Sequence, residues 1–451
     1  MEIPQKLHTR LAEIFANYKD APDPAEFIDL PHYKGLRINT LKAEKEKFSE
    51  YGIVGEKSPF CECGYYVGSE EKLGNHPLHH AGAFYLQEPS ATSAVTVLDP
   101  KEGDFVLDLC AAPGGKSTQI AAVLHNTGLI WSNEIVGKRA NVLLSNFERI
   151  GVARGVVSSC HPDKLCDTLQ GCFDKVLVDA PCSGEGMLRR EPQIAEEWTE
   201  ENVIACADRQ LKILDSAAKA LREGGVLVYS TCTYSREENE ENVKRFLDSH
   251  PEFELLPIEV SFGRRGVDPD ETRRILWCDG GEGHFVAKLR KSGDEPRREI
   301  PMASVSKNPK KGGKSADSGE ELLGSFLKDN KITLGEGYVI NKNGKFYLSP
   351  LKDIPASLGV MRCGILLGEE ERGRFTPAHA MFATPYLQTD NEIDLELSDP
   401  RLSKFLHGEE IEAAGDKGFY RVSVEGVPLG FGKLSGGRLK NYYPKGLRTL
   451  Y

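Results

Sequence analysis

Two cysteines stand where a parallel sheet would deliver reactive groups. Asp179, Pro181 and Cys182 follow the apolar run in FDKVLVDAPCSGEG, and Thr231 and Cys232 follow the one in GGVLVYSTCTYS. Each segment reads as a buried strand running into a turn, and in an open α/β sheet ligands sit outside the carboxyl ends of the strands. A single Cys is more often a small buried hydrophobe than a nucleophile. Two thiols at neighbouring strand ends, one of them close to an Asp, point instead to covalent catalysis. Methylation of cytosine C5 is a reaction that needs such a pair. That carbon is a poor nucleophile; a thiolate adding at C6 makes it enamine-like, and an acid near N3 stabilises the adduct. The C5 proton must then leave and the thiol be eliminated, a step that a second thiol assists. Methylation of an amino group or a hydroxyl needs no covalent step. The residues alone do not rank Cys232 above Cys182.

The loop VLDLCAAPGGKSTQI, residues 106–120, supplies the other half of such a reaction. A strand runs into a small-residue turn, Gly114 and Gly115 permit close backbone approach, and a helix starts near Lys116. A phosphate-binding P-loop would need Gly at position 110, where Cys stands, and the dinucleotide pattern G-x-G-x-x-G is absent. A nucleoside cofactor without phosphates fits better, with Glu134, about 20 residues beyond the glycines, on its ribose. S-Adenosylmethionine answers that description. A tight turn with no ligand is the competing reading.

These groups need a sheet to hold them. From Phe105 to about Leu289, short apolar runs alternate with helical patterns, which predicts βαβ units and a mostly parallel sheet. Residues 1–90 read as a small α/β domain. Its opening helix buries Leu7, Leu11, Ile14 and Phe15, Ala21–Pro24 stops it, and a strand follows at LRINTL. Residues 292–319 are polar, basic and rich in Gly, Pro and Ser, as in a linker. The last 130 or so residues predict one or two small domains, the final one a sheet or barrel with Gly turns.

The 451 residues carry 57 Lys plus Arg against 68 Asp plus Glu, a net charge of −11, which argues against coating nucleic acid by bulk charge. Local patches escape that argument. From Val427 to the end, Lys433, Arg438, Lys440, Lys445 and Arg448 stand without an Asp or Glu, interleaved with Tyr442 and Tyr443, a pattern suited to tracking phosphates and stacking bases. A basic barrel that only packs on the catalytic domain is the alternative. The odd count of 11 Cys predicts free thiols. Without a signal-peptide pattern or an 18-residue apolar run, the expectation is a soluble cytoplasmic protein.

The segments CAAPGGKS, DAPCSGEG and YSTCTYS, in this order and on these strand ends, resemble the Nop/Sun family of RNA cytosine-C5 methyltransferases. The likeness extends to LRINTL and FYLQEPSA upstream. It reaches GVPLGFGKLSGGRLKNYYPKGLR at the end, similar to the RNA-binding tail of the bacterial small-subunit (16S) rRNA subgroup, and so covers nearly the whole chain. It implies an α/β fold: a class I, Rossmann-like S-adenosylmethionine methyltransferase sheet at 91–291, behind an N-terminal α/β domain at 1–90. A linker at 292–319 would lead to a first C-terminal domain at 320–388 and a PUA-like RNA-binding domain at 389–451. It implies Cys232 as nucleophile, Cys182 as the thiol that helps release product, and Asp179 at the cytosine edge and near the cofactor. Cys110, Ala111, Ala112, Pro113, Gly114, Gly115 and Lys116 would surround the methionine moiety, with Glu134 on the ribose. The implied partner is small-subunit rRNA or an assembly intermediate, with no DNA, no membrane and no metal. A monomer is expected, though the chain itself leaves the subunit count open.

Where relatives often carry an acid for the adenine, this chain has His161, with Asp163 two residues on, and the contact stays open between these and backbone. Cys61 and Cys63 near His76, His79 and His80 make a weak zinc pattern; packing and loop capping is the stronger reading. Arg139 is placed to order Glu134 or simply to face solvent. REENEEN, Arg236–Asn242, reads as the solvated first turn of a helix.

Overall fold

A computed structural model describes residues 3–68, 71–301, 316–353 and 358–449. Half of the segment read as a linker, 302–315, lies outside the described residues. The N-terminal part is an antiparallel sheet of β1 (Gly35–Ile38), β2 (Gly64–Tyr66) and β3 (Phe84–Gln87), ordered β2-β1-β3. The opening helix, Gln5–Phe15, buries Leu7, Leu11, Ile14 and Phe15 as its spacing predicts. It ends at Ala16, ahead of the proline-rich stretch.

The central sheet is built on five parallel strands: β4 (Phe105–Asp108), β5 (Leu129–Asn133), β6 (Gly155–Ser158), β7 (Phe173–Asp179) and β8 (Leu221–Thr231). Helices cover both faces, so the strands carry continuous apolar runs rather than alternation; all five residues of β5 are buried. Trp131 fills the core and donates Nε1–H to Ser158 Oγ at 2.9 Å. Four more strands follow: β9 (Phe253–Leu256), β10 (Arg264–Arg265), β11 (Arg273–Ile275) and β12 (His284–Lys291). The sheet runs β10-β11-β12-β8-β7-β4-β5-β6, with β9 paired to β12. Against β6 a strand from far downstream, Val360–Cys363, adds antiparallel. After β4 the chain builds outward through β5 and β6, then returns to β4's other side with β7. The crevice at that reversal, outside the carboxyl ends of β4, β7 and β8, is where such sheets take ligands.

The C-terminal sheet consists of strands at 392–395, 418–424, 427–435, 438–441 and 411–412 in that spatial order. It does not hang free. Leu36, Ile38 and Phe84 of the N-terminal sheet share one buried cluster with Leu402, Phe405, Leu429 and Leu439. Lys42 sits at the junction, its Nζ donating to the carbonyls of Ala81 (2.7 Å), Arg149 (2.9 Å) and Pro428 (3.0 Å). One ammonium thus ties the first, central and last parts of the chain. No helix among the described residues is long and apolar enough to cross a membrane.

The REENEEN reading needs correction. The helix starts at Glu240, and Glu238, Asn239, Glu240 and Asn242 are buried. Arg274 on β11 donates Nε–H to Glu240 Oε1 at 2.7 Å and Nη1–H to the Tyr234 carbonyl at 2.9 Å. The carboxylate is dry because a buried guanidinium from a distant strand meets it.

Candidate functional site

A cavity of about 610 Å³ opens at the carboxyl ends of β4, β7 and β8. Cys110, Ala111, Ala112, Pro113, Gly115, Lys116, Asp179, Cys182 and Cys232 all line it. Gly114 and Glu134 do not. Gly114, at φ +114°, opens the Gly115–Val123 helix and faces Leu143. Glu134 follows β5, buried, with Oε2 3.1 Å from Arg139 Nη1 and Oε1 accepting from the Val136 N–H. Arg139 lines the cavity and also donates to the Ala112 carbonyl at 2.9 Å, so it clamps the glycine loop to Glu134.

The two cysteine sulfurs lie 3.2 Å apart. Their loops are laced together. Ser183 Oγ and Thr233 Oγ1 are 2.7 Å apart, and the Gly186 N–H donates to the Cys232 carbonyl at 2.9 Å. Glu185 collects Thr233 Oγ1, the Tyr234 N–H, Ser235 Oγ and Trp198 Nε1. Asn239, from the segment misread as solvated, accepts from Thr231 Oγ1 and donates to the Thr233 carbonyl, bracketing Cys232. The hydrogen bond to Cys232, together with burial, pushes the Cys182 thiol well up. Burial also pushes Glu238 up to about 7, and its Oε1 is buried without a partner.

Asp179 ends β7. Lys116 Nζ donates to its Oδ2 and Ser230 Oγ to its Oδ1, both at 2.7 Å. Burial pulls the Lys116 ammonium down, but the Asp179 charge and hydrogen bond outweigh it and leave it raised. Two further groups were not singled out in the sequence. Asp108, the last residue of β4, lines the cavity; Ser117 Oγ donates to its Oδ2 at 2.6 Å, while Oδ1 is buried and unpartnered. Burial pushes this carboxyl up to about 7. An acid ending the strand before the loop is legible in VLDLC. His284 at the start of β12 also lines the cavity, and only the strand's antiparallel return brings it there.

Neither adenine candidate lines the cavity. His161 and Asp163 have side chains 63% and 59% exposed, with His161 Nδ1 3.5 Å from Asp163 Oδ2, and Asp163 also accepts from Ser216 Oγ. Among the described residues no group of three or more His, Cys, Asp or Glu side chains is placed to hold a metal. In the tail, Tyr443 is buried against His379 and Phe405, which corrects its reading as a stacking surface. Tyr442 is the exposed ring, with Lys440 Nζ 5.9 Å from its centroid.

The 16S rRNA methyltransferase RsmB/F family model matches residues 95–290. The N-terminal domain of 16S rRNA methyltransferase RsmF matches 3–89, and the methyltransferase RsmF PUA domain matches 392–449. A Vibrio atlanticus protein named ribosomal RNA small subunit methyltransferase F is 33% identical, over 99% of this chain and 97% of its own. A Psychromonas ingrahamii protein of the same name is 31% identical, over 99% and 97%. NSun6 from Pyrococcus horikoshii, solved with SFG, covers 64% of this chain and 99% of its own at 26% identity, with a TM-score of 0.58. With a class I methyltransferase sheet, a matching tail domain and relatives aligned end to end, the chain belongs to the RsmB/F family of S-adenosylmethionine-dependent 16S rRNA methyltransferases.

Proposed function

We propose that this enzyme methylates C5 of a cytidine in small-subunit rRNA, free or in an assembling particle, through a covalent adduct between Cys232 and cytosine C6. The observation that carries the reading is the pair of sulfurs at 3.2 Å beside the Lys116–Asp179 ion pair in one cavity. A thiol that keeps its proton and hydrogen-bonds to its neighbour's sulfur supports Cys232 as the attacking atom and Cys182 as its helper. As the C6–S bond forms, negative charge builds at N3 and O2, and the Lys116 ammonium, held at this edge by Asp179, offsets it. Once C5 has been methylated, the C6–S bond breaks; Cys182 hands its thiol proton to the departing Cys232 sulfur and takes up the C5 proton in its place. The target base must leave its stack to reach the cavity. We retain the division of the chain at 90, 291, 319 and 388, with the enzyme acting as a cytoplasmic monomer.

S-Adenosylmethionine fits the residues present and supplies an electrophilic methyl group. The unpartnered Asp108 Oδ1 suits its ammonium, the wall from Cys110 to Lys116 its methionine chain, and Arg139 with Glu134 behind it the ribose. A consequence follows for pH. The free carboxyl, near 7, binds a cation only when ionised, so affinity is full above that value and falls as pH drops through it. Cofactor Kd is expected to weaken towards about tenfold per unit below pH 7. Calorimetry from pH 5.5 to 8 reads this; a flat profile, or one unchanged in Asp108→Asn, removes Asp108 from the role.

Nucleoside analysis of small-subunit RNA methylated by the wild type tests the function itself. The expected product is 5-methylcytidine. An N-methylated base would establish an amino-methyltransferase, and RNA binding without methyl incorporation an assembly factor.

A further inference from the structure

His284 has no part in the reaction as derived so far, yet it is one of the most tightly specified groups in the cavity. Strand β12 runs antiparallel to β8, with Phe285 opposite Thr231 and Val286 opposite Ser230. His284 is the next residue back along β12, and Cys232 is the first residue past the end of β8. The imidazole is 4% exposed and lines the cavity together with Lys116, Asp179 and Cys232.

A relay behind the ring sets its tautomer. The Glu88 carboxylate receives the N–H groups of Ser90 (2.8 Å), Ala91 (2.8 Å) and Glu282 (3.0 Å), and the Ser90 hydroxyl at 2.7 Å. Four donors make Glu88 an acceptor only, so the single Ser90 proton points at it. Ser90 Oγ, 2.9 Å from His284 Nδ1, must then accept, and Nδ1 carries the hydrogen. The other nitrogen, Nε2, is left with a bare lone pair. Burial and the Lys116 charge push the ring's pKa down to about 3, so it stays neutral at working pH.

We propose that His284 Nε2 accepts a hydrogen bond from the 4-amino group of the target cytosine and so selects cytosine over uracil. The inference rests on the C5-cytosine reading above. The pyrimidines differ at position 4, where cytosine presents N–H donors and uracil a carbonyl acceptor. A fixed acceptor pairs with the first and repels the second. Lys116, a donor, suits the O2 common to both bases, so the reading of position 4 falls to His284. A buried site built around a hydrogen bond rejects a base that leaves it unpaired or opposed.

The test compares adduct formation by the full-length enzyme on RNAs carrying 5-fluorocytidine, 5-fluorouridine, or a pyrimidin-2-one nucleoside that lacks the 4-amino group. His284→Phe is expected to slow the adduct on 5-fluorocytidine about tenfold to a hundredfold while leaving pyrimidin-2-one within about twofold of wild type. His284→Gln, which can turn an N–H outward, is expected to form an adduct on 5-fluorouridine that the wild type does not. Equal losses on 5-fluorocytidine and pyrimidin-2-one would make His284 merely structural and overturn the proposal. A wild type that traps 5-fluorouridine as readily as 5-fluorocytidine would overturn it too. Wild-type trapping on 5-fluorocytidine sustains the C5 reading whatever the variants do. No wild-type adduct on any RNA fells that reading and this inference together.

Discussion

Cys232→Ala is expected to lower methyl transfer by about 10³-fold or more and to abolish the adduct on 5-fluorocytidine RNA. Without addition at C6, cytosine C5 has no nucleophilic character, and nothing else in the cavity provides it. Lys116 is engaged with Asp179, and Cys182 holds its proton. Cys182→Ala has the opposite signature. Addition and methylation proceed, elimination stalls, and a protein–RNA adduct builds up on unmodified RNA after a single turnover. Denaturing gels with labelled cofactor separate the two variants. Methyl transfer persisting in Cys232→Ala would end the covalent mechanism, and normal turnover in Cys182→Ala would end the release role.

Glu240→Ala is expected to destabilise the protein by about 3–5 kcal/mol, because it strands the fully buried Arg274 without its counter-charge. The pair holds β11 against the helix that begins beside the Cys232 loop. Glu240→Leu combined with Arg274→Leu should cost less than either single change, since no charge is then left dry. An exposed pair such as Arg290–Glu254 gives the contrast; Arg290→Ala is expected to change stability by at most about 1 kcal/mol. Denaturant unfolding measures each of these variants. A Glu240→Ala protein as stable as Arg290→Ala would remove the pair from any structural role.

The parts of the site that were legible in sequence share one property: they are local to strand ends. A βα alternation places the carboxyl ends of parallel strands together, so Asp179, Cys182 and Cys232 could be brought to one crevice on paper. What was illegible depends on distant segments meeting. Seven polar residues from Arg236 look solvated until Arg274, 34 positions beyond Glu240, arrives to pair. Tyr443 reads like Tyr442, but just past the last strand one ring turns into the core and the other out. His284 belongs to a strand whose apolar pattern says nothing about running antiparallel. The direct contact between the two thiols is likewise a distance that no spacing in sequence encodes.

The cluster joining Leu36 and Phe84 to Phe405 and Leu439 bears on how the molecule comes into being on the ribosome. During synthesis the N-terminal sheet emerges about 300 residues ahead of the segments 402–443 that share its apolar cluster. Contacts spanning such a length form late and leave sticky surface exposed in the interval. The tail that completes the fold also carries Lys433, Arg438, Lys440, Lys445 and Arg448 without an Asp or Glu, so one segment brings the nascent chain both a closed core and a basic surface.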